Sequence, residues 1–310
     1  MGVYLNGGFF MNTEFNKIQV IKYLAFTFGI AYAIQIIAWL LYSNGQQIIG
    51  QLVIAVMMFV PMLSVFLSGV KIKVMGWNPH IKRNWKTLLI AWFSPLIFTA
   101  IGAGLYFALF PSHFDLSGSY IVEVAGEDVL RQIEEQGLSY PLMILLSCVN
   151  CVTYAPVINA IFAAGEEVGW RGFLYPQLKA KFGKRKGWFI GGMIWGLWHC
   201  PLIWLIGYEY GTDYIGFPVT GMILFSVVIT VALGIIFDWS YEKSNSIWLP
   251  AIFHGAFNAA ATIPPCVTIT NTGSCRLLGS TPIGLIAGLP FIIFAIILFI
   301  KAKSKIDRSV

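Results

Sequence analysis

The amino-acid sequence predicts an all-α fold: a polytopic membrane helix bundle of about eight transmembrane helices. Three observations carry that expectation. Of the 310 residues, 57% are hydrophobic and only 11% charged, with a mean hydropathy of +0.75, whereas soluble domains carry about 25% charged residues. Apolar runs reach the roughly 20 residues needed to cross a hydrocarbon core of about 30 Å. The loops between those runs alternate between basic and non-basic, as they do when basic loops are retained on the cytoplasmic side.

The eight segments are 18–42, 48–70, 87–110, 140–164, 187–207, 218–237, 247–263 and 283–300. Met1–Asn16 has no basic stretch of the kind that opens a signal peptide, so 18–42 reads as a retained span, with Met11 an alternative start. The first span ends in 43–47, which carries no charge. The second ends in 71–86, with Lys71, Lys73, Lys82, Arg83 and Lys86 and no acid. The third leads into 111–139, where Asp115, Glu123, Glu127, Asp128, Glu134 and Glu135 face Arg131; a short surface helix is expected around 126–136. The fourth runs to 179–187, with Lys179, Lys181, Lys184, Arg185 and Lys186. The fifth ends in 208–217, with Glu209 and Asp213. The seventh starts near Ser246, and the eighth leads to Lys301, Lys303, Lys305 and Arg308 against Asp307. Eight spans put every basic loop on one side, which predicts cytoplasmic termini. Pro61, Pro95 and Pro156 are tolerable within spanning helices.

No internal repeat or linker divides the chain, so residues 1–310 read as one domain, with the chemistry-bearing residues in a core at 140–263. The net charge of +6 is accounted for by the basic loops, and no nucleic-acid partner is expected; the expected surroundings are a lipid bilayer. Those loops read as topology determinants, with contact to anionic lipid an option. The five cysteines lack zinc-type pairing. Cys148, Cys151 and Cys200 read as packing residues, and Cys266 and Cys275 share a polar loop where a disulfide is an option if that loop is extracytoplasmic.

Ionisable groups within the spans are few, and each is costly there, which makes it a candidate for function. They are Glu166, Glu167, Arg171, His199 and His254. Counted from the basic loops at about 1.5 Å per residue, they share one layer roughly 10–20 Å deep, with the opening expected on the cytoplasmic side. Glu167 and Arg171, at i and i+4 with the acid first, read as an ion pair. Glu166 is rotated about 100° away and is the better general base. His254 and Asn258 share a helix face and are placed to donate two hydrogen bonds to an oxyanion. His199 is placed to hold the attacking water or pass its proton to a leaving amine. Each has a plainer alternative: a cap at Glu166, a satisfied core histidine at His199, a polar clamp at His254 and Asn258. Trp195, Trp198 and Trp204 read mainly as lipid-facing or packing surface. A Glu and two His also suit zinc, but HExxH spacing is absent, and no cofactor is expected, with zinc left open. A transporter would use the same charges as a proton relay, but no inverted repeat is visible.

Glu166-Glu167-Val168-Gly169-Trp170-Arg171 resembles the EExxxR motif of the CAAX prenyl protease and bacteriocin-processing membrane family. Trp195 to His199 resembles its second motif, an aromatic residue four before a histidine, and His254 to Asn258 its third, HxxxN. That family usually has Phe where Trp195 stands, a difference expected to change bulk and not chemistry. The resemblance implies a helical fold of about eight spans and endopeptidase activity of type II CAAX kind, removing the last three residues after a prenylated cysteine. It implies that Glu166 and His199 activate water, that His254 and Asn258 stabilise the oxyanion, and that Glu167 and Arg171 support them, without metal. The implied partner is a membrane-anchored or prenylated peptide. Bacteriocin self-immunity, or a non-catalytic membrane scaffold of the same fold, is the alternative.

Overall fold

The structure, a computed structural model, describes residues 14–270 and 272–302, with a short hairpin of β1 (Val3–Leu5) against β2 (Gly8–Phe10). Met11 and the tail residues Lys303, Lys305, Asp307 and Arg308 lie outside the described residues. The helices are α1 (Lys17–Ser43), α2 (Gln47–Met57), α3 (Val60–Leu67), α4 (Ile81–Leu109), α5 (Ser119–Ala125), α6 (Asp128–Glu135), α7 (Tyr140–Val152) and α8 (Ala155–Gly169). After a π-helical turn at Trp170–Leu174 come α9 (Tyr175–Phe182), α10 (Lys184–Ile206) and α11 (Val219–Ile223). A second π turn at Leu224–Ile229 leads to α12 (Thr230–Ser244), α13 (Trp248–Ala261) and α14 (Leu289–Lys301).

All eight expected segments fall on helices, and the protein is an all-α membrane bundle. Among the described residues, four continuous helical stretches are long and apolar enough to cross a bilayer: α1, α4, α10 and 219–244. Two more are bent pairs, α2 with α3 at 41° and α7 with α8–α9 at 56°. The last two segments are shorter than expected, with α13 only 14 residues and α14 only 13. The expected surface helix is α6, preceded by α5; Arg131 there pairs with Asp128 at 2.9 Å, both exposed. Cys266 and Cys275 are both free thiols.

Small residues let the central helices approach closely, as membrane helices require when no hydrophobic drive separates lipid from protein. Ala160, Ala163 and Ala164 of α8 pack with Ala251 of α13. A Cβ on Gly255 would sit 2.6 Å from the Ala160 nitrogen, so that position needs glycine for α13 to lie against α8. Large apolar side chains such as Ile21, Ile36, Ile97, Ile101 and Ile296 stay exposed on α1, α4 and α14, the surface that lipid covers.

The basic segments meet at one end of the bundle. Arg185 donates to the Phe299 and Ile300 carbonyls at the last turn of α14, and Arg83 and Asn84 donate to the Ser244 carbonyl ending α12. Such cations at helix C-termini also complement the helix dipole. The basic loops are more than topology signals, however. Lys179 bonds Asp238 at 2.6 Å and Glu242 at 3.0 Å, and the Trp188 indole donates to the same Asp238 oxygen. This buried network ties α9 and α10 to α12, and its acids were not singled out in the sequence. The non-basic loops meet at the other end. There Asp115 donates its N–H to the Val267 carbonyl, and Tyr210 reaches the Ile283 carbonyl at 2.9 Å.

Candidate active site

The fifth span carries Pro201, which has no N–H and leaves the Leu197 carbonyl without its helical partner. α1 supplies the repair. Tyr32 donates to the Leu197 carbonyl at 3.1 Å, and Gln35 bridges the Trp198 carbonyl (2.8 Å) and the Leu202 N–H (3.1 Å). The turn bearing His199 is thereby fixed from outside its own helix. The α8 segment is fixed by its own chemistry and by a π turn, a feature frequent at functional sites. Arg171, in that turn, bonds Glu167 at 2.9 Å, and both side chains are fully buried. The guanidinium lies over Trp195, Tyr175 and Phe237, 4.5 to 5.1 Å from the ring centroids. The predicted ion pair is therefore present.

Glu166 points elsewhere, as its rotation requires. Its Oε2 accepts from the Trp195 indole at 2.7 Å and the Trp170 indole at 3.1 Å. Among the described residues, no donor occupies Oε1. Trp195 therefore corrects one expectation. It is 3% exposed, which fits the packing reading, but its N–H gives Glu166 a hydrogen bond that phenylalanine lacks, a difference of chemistry and not only of bulk. Trp198 is likewise buried, donating to the Thr27 carbonyl, while Trp204 is 60% exposed and does fit the lipid-facing reading. A hydrogen bond to a charged group is worth about 1.5–3 kcal/mol, so Trp195→Phe is expected to lower stability by about that amount. Thermal unfolding in detergent measures it; an unchanged midpoint would show that the bond contributes nothing.

His199 Nδ1 lies 3.0 Å from the Trp195 carbonyl, which only accepts, so the proton of neutral His199 sits on Nδ1 and Nε2 is left as a base. Its ring packs on Trp198, Phe225 and Tyr208. His254 Nδ1 lies 2.8 Å from Glu167 Oε1, and the ring stacks on Phe237 at 5.2 Å. Glu167 thus holds Arg171 and His254 with one oxygen, a link the sequence reading missed.

Glu166, His199, His254 and Asn258 all line one cavity of about 160 Å³. Glu167 and Arg171 lie behind it. Among the described residues, no three His, Cys, Asp or Glu side chains are grouped as a metal would need. The cavity also touches Met57 and Met58 at the bend between α2 and α3, and the loop residues Tyr208 and Glu209. The desolvation around Glu209 pushes its carboxyl up to about 7, against a hydrogen bond from Tyr208.

Counted along the helices, the three groups lie at different depths from the basic end. His199 is 15 positions beyond Lys184, and Glu166 is 16 before Phe182, so both lie about 22–24 Å along their helices from the basic end. His254 is six positions beyond Trp248, about 9 Å from the basic end, and His199 is seven before Ile206, about 10 Å from the opposite end.

Residues 142–260 match the family described as type II CAAX prenyl endopeptidase Rce1-like. The chain is 32% identical over 111 residues to CAAX prenyl protease 2 of Methanococcus maripaludis, a match covering 34% of this chain and 39% of that protein.

Proposed function

We propose that this chain, whose residues 142–260 match the Rce1-like family of type II CAAX prenyl endopeptidases, is an intramembrane endopeptidase that cleaves a membrane-anchored peptide with water activated by Glu166 and His199. The observation that carries the reading is the state of Glu166. Two indoles hold one carboxylate oxygen, and the other is left open beside a cavity shared with His199, His254 and Asn258. A general base needs that combination of fixed position and a free lone pair.

Water gives its proton to Glu166 Oε1 as its oxygen bonds the scissile carbonyl carbon. His199 Nε2 accepts a hydrogen bond from the same water and keeps it aligned. The carbonyl oxygen becomes an oxyanion, held by the Asn258 amide N–H and by His254 Nε2–H. In this scheme the His254 ring carries both protons, Nδ1–H to Glu167 and Nε2–H to the substrate oxygen. Collapse of the intermediate breaks the C–N bond, and Glu166 returns its proton to the leaving amine. This scheme needs no metal; retained cleavage in the presence of a chelator is the expected result, and activity lost with zinc and regained on its return overturns it.

The family's name, and the name of the relative, point to a prenylated C-terminal CAAX sequence and release of its last three residues. The test is mass spectrometry of a farnesylated CAAX peptide incubated with purified protein, with Glu166→Ala as control. A tripeptide product dependent on Glu166 is expected. Intact peptide, with an unprenylated membrane-anchored peptide cleaved instead, would retain the peptidase and reject the prenyl specificity. No cleavage of either would favour a non-catalytic scaffold. Asn258→Ala removes one oxyanion donor, for which a loss of about 10²–10³ in turnover is expected; full turnover would remove Asn258 from the mechanism.

A further inference from the structure

We propose that the apolar groove between α4 and α13, at the basic end of the bundle, binds one anionic phospholipid, with an acyl chain in the groove and the phosphate held by the lysines of the 71–86 segment. The proposal does not rest on the peptidase reading of the site. The groove encloses about 240 Å³, lined by Ile81, Leu88 and Trp92 of α4 and by Trp248, Leu249 and Ile252 of α13. The three α4 residues stand at i, i+7 and i+11, so they share one helix face. From Ile81 at the basic end, Trp92 lies 11 positions along the helix, about 16 Å into the membrane. That is the depth of one leaflet, half of a hydrocarbon core of about 30 Å.

The lining suits a hydrocarbon chain because its polar groups are already used. Asn84, which also lines the groove, is buried and gives its amide hydrogens to the Pro79 and Ser244 carbonyls at 2.9 and 3.0 Å. The Trp92 indole donates to the Val152 carbonyl at 2.9 Å. The segment before α4 is pinned beside the mouth. Trp77 donates to the Ile72 carbonyl at 2.7 Å and meets Trp248 edge to face, and the Gly76 carbonyl accepts from the Ile247 N–H at 2.8 Å. Lys71 and Lys73, on either side of Ile72, are thereby tethered to the groove. Ile81 at the mouth and the adjacent Trp85 are both more than half exposed, as at a lipid-facing surface.

Charge names the occupant. Lys71, Lys73, Lys82 and Lys86 are all exposed, 71–86 holds no acid, and among the described residues none of the four pairs with a carboxylate. Lys179 and Lys184 of the other basic loop, by contrast, are bonded to Asp238 and Glu242, and Arg83 is engaged with the Ser244 carbonyl. Unmatched lysines at the end of a spanning helix attract an anionic headgroup, and their flexible stems carry the charge to the interface. Lys86 lies over the Trp85 ring at 5.5 Å, an aromatic residue of the kind that settles at headgroup level. The groove is separate from the catalytic cavity. No residue lines both, and Ile252 and His254, two positions apart, project about 200° apart around α13. A lipid in the groove braces, from behind, the helix that bears His254 and Asn258.

The test is native mass spectrometry of the full-length protein, delipidated in neutral detergent and titrated with phosphatidylglycerol or with phosphatidylcholine of the same acyl chains. One phosphatidylglycerol is expected to be retained at a concentration about ten-fold lower than phosphatidylcholine. Lys82→Gln with Lys86→Gln, and Lys71→Gln with Lys73→Gln, are each expected to shrink that ratio, and all four together to bring it close to one. Lys181→Gln with Lys186→Gln removes equal charge from the other basic loop and is expected to leave the ratio as it was. Leu88→Trp and, from the facing helix, Ile252→Trp fill the groove and are expected to weaken retention of both lipids. The lysines are exposed, so their variants decide the headgroup site even where a groove variant does not fold. Equal retention of the two lipids overturns the proposal, as does a preference that survives the four substitutions or falls equally with Lys181 and Lys186 changed. Undiminished retention in a folded groove variant does the same. Displacement of bound phosphatidylglycerol by a farnesylated peptide would give the groove to the prenyl chain and also overturn it.

Discussion

Glu166→Gln is expected to leave the bundle assembled and to lower turnover by about 10²–10⁴-fold, the range that general acid–base groups contribute. The carboxamide has the size and shape of the carboxylate. The two indole N–H groups of Trp170 and Trp195 fix which way it turns, because only the amide oxygen can accept from them. The NH2 group therefore takes the place of Oε1. The water that was to be deprotonated then meets a donor instead of a base, and the reaction loses its proton acceptor without losing the fold. The check is cleavage of substrate peptide by the purified variant alongside its thermal unfolding in detergent. Near-wild-type turnover, with the protein folded, would sink the general-base assignment.

What the sequence made legible was local. Glu167 and Arg171 are four apart on one helix, as are His254 and Asn258, and helical geometry alone decides which side chains share a face. It also turned Glu166 away from Glu167, and the structure places it so, on Trp170 and Trp195. Links between helices were not legible. His254 reaches Glu167 across 87 positions, and Tyr208 reaches the site from a loop read only for its charge. A signal for Trp195 did exist: an indole N–H in a dry span needs an acceptor, and Glu166 was the carboxylate expected at similar depth. The span count was harder. The bends at Met58–Phe59 and Thr153–Tyr154 leave no break in hydropathy, and the shortness of α13 follows from packing that composition does not record.

Glu167→Ala is expected to cost about 3–5 kcal/mol of stability, the penalty for leaving a buried charge without its partner, and to lower turnover as well. Arg171 is fully buried, and among the described residues its Nε and Nη2 have no hydrogen-bond partner. Removing Glu167 takes away the one acceptor it has and leaves the guanidinium among Trp195, Tyr175 and Phe237. The aromatic faces offset part of that loss, since a desolvated cation–π contact is worth about 2 kcal/mol, but they supply no hydrogen bond. The same substitution frees His254 Nδ1, so the ring loses its orientation. Two roles are thereby combined in one carboxylate oxygen, and a second substitution separates them. In Glu167→Ala with Arg171→Met, the orphaned cation is gone and a flexible apolar chain fills its space, so most of the stability is expected to return. Turnover is not expected to return, because nothing again holds His254. Unfolding in detergent and peptide cleavage, measured on both variants, give the answer. Unchanged stability in Glu167→Ala would reject the buried ion pair as a structural element. Recovery of turnover in the double variant would show that His254 needs no carboxylate behind it.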